Sequence, residues 1–197
     1  RSTGDGSGRG DRAVRLLIMG PPGAGKGTQG ELLARRLGIP RYSTGDILRQ
    51  ALRDGTPMGI KAKRYMHAGE LVPDDVILGI VGDALANEDS EPGFLLDGFP
   101  RTVAQAEGLR RLLQDRGQKL DAIVDLSVPE DEIMKRLSTR GRKDDLQKTI
   151  KRRLEVYGKK KKPLVDFYAA RGVQVVSVEG VGDIDDIQAD ILERLSL

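Results

Sequence analysis

The sequence predicts an α/β domain in which a five-stranded parallel sheet carries helices on both faces. Short apolar runs alternate with longer helical patterns from residue 14 onward, which is how strands joined by crossover helices read. The first run, Val14-Arg15-Leu16-Leu17-Ile18-Met19, passes directly into Gly20-Pro21-Pro22-Gly23-Ala24-Gly25-Lys26-Gly27-Thr28, a glycine-rich turn of the kind that links a buried strand to a helix. A chain of 197 residues with 38% hydrophobic content can fill one compact core with insertions and is too short for two large ones.

Taken in order, strands are predicted at 14–19, 41–43, 94–97, 122–127 and 174–179. The first is the apolar run ahead of the glycine turn. The third, Phe94-Leu95-Leu96-Asp97, is apolar and ends in an acid. Helices are predicted at 26–37, 45–53, 57–68, 73–86, 103–117, 129–139, 146–160 and 184–195. Asp46 and Pro57 stand near two helix openings, and Pro129 follows the fourth strand as a first-turn proline. Strands separated by helices pair in parallel, and ligands of such sheets gather beyond the carboxyl ends of the strands. Two stretches exceed a minimal alternation. Residues 44–72 form a helical excursion between the second and third strands, and Thr139-Arg140-Gly141-Arg142-Lys143-Asp144-Asp145 is a charged break between two helices. Both are candidate flaps over a site.

Composition narrows the classes. With 32% charged residues the surface is well solvated, and 4% aromatics leave the interior to aliphatic side chains. The absence of Cys rules out a disulfide, a thiolate metal site and a cysteine nucleophile, and is compatible with an intracellular setting. No apolar stretch approaches the ~20 residues that span a bilayer. Residues 1–12, rich in Gly, Ser, Asp and Arg, are expected to be a disordered extension and lack the apolar segment of a secretory signal. The chain does not begin with Met and so reads as a processed, trimmed or tagged product. A net charge of +3 suits nucleic acid and small polyanions alike.

The glycine turn carries the strongest chemistry. A strand–turn–helix of this kind aims a row of backbone N–H groups and the positive end of a helix dipole at one point, and Lys26 adds a full charge. The spacing from Gly20 to Gly25-Lys26 fits a phosphate loop, although the usual hydroxyl after the lysine is displaced by one, Gly27 preceding Thr28. Gly20, Gly23 and Gly25 suit positive φ or close approach of a ligand. Asp97, at a strand end beside that loop, suits the water shell of a triphosphate-bound Mg²⁺, or alternatively caps the following turn. Arg101 projects at the same crevice. Arg49, Arg136, Arg140, Arg142 and Arg153 stand near predicted loops and hinges. Guanidinium groups hold phosphate oxygens bidentately, but arginines also serve ordinary solvated surfaces, and spacing alone does not separate these from the rest. His67, the sole histidine, reads as a structural or surface residue.

Five motifs in order resemble the adenylate kinases of the nucleoside monophosphate kinase family. They are Gly20 to Thr28; Ser43-Thr44-Gly45-Asp46-Ile47-Leu48-Arg49; Gly69-Glu70-Leu71-Val72-Pro73; Asp97-Gly98-Phe99-Pro100-Arg101-Thr102 with Gln105-Ala106; and Gly141 to Asp145 with Arg153-Leu154 and Tyr157. The resemblance implies a three-layer sandwich of the P-loop NTPase type. Its core would comprise residues 13–43, 73–138 and 147–197, its helical AMP-binding domain 44–72, and its short lid 139–146. It implies reversible phosphoryl transfer from MgATP to AMP giving two ADP, a role in adenine nucleotide homeostasis. It places Gly23, Ala24, Gly25, Lys26, Gly27, Thr28, Arg136 and Arg140 at ATP, and Thr44, Arg49, Leu71, Val72, Gly98, Arg101, Gln105, Arg142 and Arg153 at AMP. Lys26, Arg101, Arg140, Arg142 and Arg153 would be the catalytic cations. Asp97 would order the Mg²⁺ waters, and Asp144 and Asp145 would hold lid arginines. No zinc is implied, nor nucleic acid or membrane as partner. A monomer is expected, in the cytoplasm, or in an organelle matrix or stroma if a targeting segment has been removed.

Two departures stand out. Lys159-Lys160-Lys161-Lys162 precedes Pro163-Leu164 where bacterial relatives place a Thr, and reads as a solvated helix end. Leu146 replaces an Asn after the Asp-Asp pair, which weakens a helix cap. Two other readings remain: a kinase for UMP, CMP or GMP, against which Thr102 and Gln105 argue, and a nucleotide switch that uses the lysine run on RNA.

Overall fold

The computed structural model describes residues 13–142 and 145–196. The expectations for residues 1–12 and for Asp144 lie outside the described residues. Strands β1 (Val14–Met19), β2 (Arg41–Ser43), β3 (Gly93–Asp97), β4 (Ala122–Ser127) and β5 (Gln174–Glu179) form one sheet in the order β2-β3-β1-β4-β5, with every pair parallel. The helices are α1 (Lys26–Leu37), α2 (Thr44–Arg53), α3 (Pro57–Ala68), α4 (Asp74–Leu85), α5 (Val103–Asp115), α6 (Glu130–Arg140), α7 (Gln147–Ala169) and α8 (Ile184–Leu195).

Alternation along each strand sorts the interior into two cores. Leu16, Ile18, Leu95, Val124 and Leu126 face one way and pack with Leu33 of α1, Ile133 of α6 and Ile191 of α8. Leu17, Phe94, Leu96 and Ile123 face the other way, against Val81 of α4, Leu109 of α5, and Leu164 and Phe167 of α7. A sheet buried on both sides explains why the strands read as continuous apolar runs. The fold is therefore three-layered, as expected. Among the described residues no helix is long and apolar enough to cross a membrane.

The carboxyl edge of the sheet sets the site. Ile18 lies beside Asp97, Asp97 beside Ser43, and Met19 beside Asp125. The strand order places β3 and β4 on opposite sides of β1, so the loop after β1 opens at the switch point where parallel sheets bind ligands. Side-chain caps fix the chain as it leaves β2 and β3: the Ser43 hydroxyl accepts the Asp46 N–H, and the Thr102 hydroxyl accepts the Gln105 N–H.

The main correction concerns α7. The sequence predicts an end at 160, but the helix continues through the lysines and Pro163 to Ala169. Pro163 removes one backbone bond. The buried Leu164, Phe167 and Tyr168 hold the helix to the sheet nonetheless, and such packing outweighs a local break. The lysine run is thus mid-helix rather than a helix end. Lys159 pairs with Glu155 and Lys162 with Asp166, while Lys161 reaches inward to the buried Asp125, Nζ to Oδ2 2.9 Å. Pro129 caps α6 instead of occupying its first turn. Leu146 precedes α7 with no side-chain cap, as its chemistry dictates.

Candidate active site

Residues 20–25 wrap around the start of α1. Gly23 and Gly25 adopt φ of 81° and 94°, conformations a side chain rarely takes. Gly25 is the N-cap of α1 and offers no side-chain bond, so the first N–H groups of the helix face the cleft with their positive dipole end. Lys26 Nζ donates to the Pro21 carbonyl at 3.1 Å, arching back over the loop. Its ammonium is held down to about 8: burial is the largest cause, Asp97 opposes it, and Arg101, Arg153 and Arg140 add to it. Cations crowd the place where a polyanion would sit.

An open cleft surrounds this loop. Gly23, Gly25, Lys26, Gly27 and Thr28 line it from one side and Arg136, Arg140 and Arg142 from another. A second pocket lies between the 44–72 insertion and the sheet edge, lined by Thr44, Leu71, Val72 and Gln105 among others. Gly98, Arg49, Arg101 and Arg153 line both. The two pockets meet over three guanidinium groups.

The residues of the second pocket are tied together. Thr44, buried at the head of α2, donates its hydroxyl to the Gly98 carbonyl at 3.3 Å. Arg101 Nε donates to the same carbonyl at 2.8 Å. Arg49 Nη2 donates to Asp46 Oδ1 at 2.5 Å. Burial pushes the Asp46 carboxyl up, but Arg49, Ser43 and Arg41 outweigh it and hold the group below the usual carboxylate range. Gln105 accepts the Arg101 N–H through Oε1 at 2.8 Å and donates through Nε2 to Asp74 Oδ1 at 2.9 Å. Each end of the amide keeps one further hydrogen-bonding position.

The break after α6 is organised by Asp145, whose side chain is almost wholly buried. It accepts from Arg140 Nε at 2.7 Å and again from Arg140 Nη2, from the Arg142 N–H at 3.2 Å and from Arg153 Nη1 at 3.5 Å. Burial favours its neutral form, yet Arg140, the Arg142 N–H and Arg153 prevail and its carboxyl stays below the ordinary range. Asp145 therefore holds the arginines of the break in place. Arg136 is braced by Glu132 and by the carbonyls of Gly23 and Gly180, which ties α6 to the phosphate loop.

Asp97 is 5% exposed at the end of β3. Its Oδ2 accepts from Arg41 Nη2 at 2.5 Å. No group of three or more His, Asp or Glu among the described residues could hold a metal ion unaided. Asp97 at the cleft, with Asp46 beside it, fits a Mg²⁺ that keeps its waters and takes its remaining ligands from phosphate.

Most of the expected residues thus converge, with two exceptions. Ala24 does not reach the cleft: its side chain is 1% exposed and its N–H donates to the Pro21 carbonyl within the loop. Arg142 lines the phosphate-loop cleft but not the second pocket. Sequence reasoning missed Arg41 and Asp74. Both are ordinary surface residue types whose partners, Asp97 and Gln105, lie far along the chain, so no local spacing marks them. His67 is exposed, as expected.

The adenylate kinase family model matches residues 18–173. The chain is 50% identical over 185 residues to an adenylate kinase of Leptospira biflexa serovar Patoc, covering 92% of this chain and 99% of the relative. It is 48% identical over 182 residues to one from Corynebacterium glutamicum, with 92% and 99% covered. An adenylate kinase of Caldicellulosiruptor bescii is 42% identical, with 93% and 100% covered. That alignment runs over 215 residues, more than the 197 of this chain, so this relative has sequence that the present chain lacks. With the phosphate loop, the arginine-lined double crevice and these likenesses agreeing, the chain belongs to the adenylate kinase family.

Proposed function

We propose that the two pockets hold the two substrates of one reaction, MgATP over the phosphate loop and AMP against the 44–72 insertion. The reaction is the reversible transfer of a phosphoryl group from ATP to AMP, giving two ADP. The observation that carries this reading is the shared wall: Arg49, Arg101 and Arg153 line both pockets, so two phosphate chains meeting there would lie among cations. Lys26 and the N–H groups opening α1 hold the ATP phosphates, with Arg136 and Arg140 beside them. Thr44, Gly98, Gln105 and the backbone at Leu71 and Val72 hold AMP, whose phosphate meets Arg49 and Arg101.

An AMP phosphate oxygen attacks the γ-phosphorus in line, and the bond to the bridging oxygen of ADP breaks. The chain supplies no nucleophile. Its cations neutralise charge spreading over the equatorial oxygens, and catalysis is chiefly positioning and electrostatic stabilisation. The magnesium would arrive with the nucleotide substrate and neutralise charge on its phosphates, and Asp97 would orient its waters. Closure of the insertion and of the short 139–146 lid over both substrates excludes water from the transferring group. One chain lines both pockets, which supports a monomeric enzyme, and the cytoplasm is its proposed setting.

A coupled assay for ADP tests the reading. ADP forms only when ATP, AMP and magnesium are all present, and AMP outperforms CMP, UMP and GMP at fixed ATP. Faster turnover of another monophosphate, or ATP hydrolysis that ignores AMP, overturns it.

A further inference from the structure

The carboxylates at the metal-facing side of the cleft are already spoken for. Asp97 Oδ2 sits 2.5 Å from Arg41 Nη2, and the same nitrogen lies 3.6 Å from Asp46 Oδ2. Asp46 in turn takes Arg49 at 2.5 Å. Two carboxylates thus face two guanidinium groups, and the Lys26 ammonium also acts on Asp97. The Arg41 and Asp97 side chains are only 15% and 7% exposed, so solvent screens this balance weakly.

Arg41 has a prepared berth. It starts β2 and lies across α1 where Gly27 and Gly30 present no side chain. A Cβ on Gly30 would stand 3.2 Å from Arg41 Nε, and one on Gly27 3.5 Å from Nη2. The arginine is therefore held against the helix that begins the phosphate loop, with its charged end at Asp97. Nothing in the phosphoryl transfer itself requires a cation on that carboxylate, because the transferring group has Lys26 and the shared arginines.

We propose that Arg41 is a positioning residue that offsets the charge of the Asp97 and Asp46 carboxylates in the nucleotide-free protein, so that magnesium enters only as part of a nucleotide complex. The inference rests on the reading of Asp97 as the residue that orients the magnesium waters. Without Arg41 the pair loses a cation that contacts both carboxylates, and its pull on a divalent ion rises. Such an ion would occupy the cleft before ATP and bind in the wrong order. With Arg41 present, the negative charge that completes the site arrives on the phosphates.

Mn²⁺ titration of the nucleotide-free full chain, followed by electron paramagnetic resonance of the free ion, tests this without turnover. Removing a unit positive charge close to a divalent ion in a solvated cleft is worth about tenfold in affinity. Arg41→Gln is expected to bind Mn²⁺ about tenfold more tightly than the unaltered protein, Arg41→Lys to resemble it, and Arg41→Gln with Asp97→Asn to lose the gain. Arg41→Met carries the same expectation as Arg41→Gln if that variant does not fold. Unchanged or weaker Mn²⁺ binding on loss of Arg41, or a gain that survives Asp97→Asn, overturns the proposal. The magnesium requirement of ADP formation in Asp97→Asn is measured alongside. If it does not move, the reading of Asp97 fails; if it moves while the Mn²⁺ result is negative, only the role of Arg41 fails.

Discussion

Lys26 sits where its own charge is expensive. Burial and three nearby arginines outweigh Asp97 and bring its pKa to about 8 from 10.5. A bound triphosphate reverses that balance, because its negative charge favours the ammonium. The pKa in the complex therefore lies above that of the free protein, and binding takes up protons between the two values. Affinity for ATP is expected to be greatest below pH 8 and to fall as pH rises through that point, since the free protein then sheds the proton that binding needs. Calorimetry in buffers of different ionisation enthalpy reads the proton uptake directly. Lys26→Met should abolish the uptake and lower turnover by at least ~10²-fold, the usual cost of losing a preorganised charge on a transferring group. Proton uptake that persists in the variant would assign the titration to another group.

At the scale of the element, α7 explains more than any other. It carries Arg153 into the cleft, and it buries Leu164, Phe167 and Tyr168 against the sheet. Between these, Lys161 meets Asp125 on β4, whose register partner is Met19 at the end of β1. Tyr157 turns the same way, with its hydroxyl 3.5 Å from Asp125. Burial and that carboxylate push its phenol well above the ordinary value. The helix is thereby keyed to the sheet beside the strand that leads into the phosphate loop. Removing one partner of a buried pair leaves an uncompensated charge, at a cost of roughly 3–5 kcal/mol when both are fully buried. Lys161 is 32% exposed, which lowers the expected loss for Lys161→Met to about 2 kcal/mol in urea unfolding. Lys160→Met, one position away and exposed, should stay within about 0.5 kcal/mol. Equal losses in the two variants would deny Lys161 its place as a strut.

For the whole molecule, the consequence of two pockets sharing Arg49, Arg101 and Arg153 is that their ligands are coupled through geometry. If the pockets fill as proposed, a mimic in which five phosphates join two adenosines engages both at once, each pocket holding the other end at high effective concentration. Ligands that bind only the folded state raise its stability with their saturation. At equal concentration the mimic is expected to raise the thermal midpoint by several degrees more than ATP or AMP alone, a gain of about 1–2 kcal/mol at this chain length. A shift no larger than that of ATP would mean that the two pockets are not filled together.

All five strands, the phosphate loop and the run of motifs that marks the family are legible in the sequence itself, because each rests on local order: an apolar run, glycines at fixed spacing, an acid at a strand end. The same locality sets the limit. The lysine run and Pro163 resemble a helix end, and only packing of Leu164 and Phe167 against the sheet carries α7 onward. Arg41 finds Asp97 because β2 lies beside β3, and Lys161 finds Asp125 because α7 covers that face of β4. Gln105 meets Asp74 across two helices. Composition and periodicity determine which elements form and which face each buries. Which charge neutralises which is decided by strand order and helix docking, since an ion pair in a low-dielectric cleft depends on distances of a few ångströms that no interval along the chain encodes.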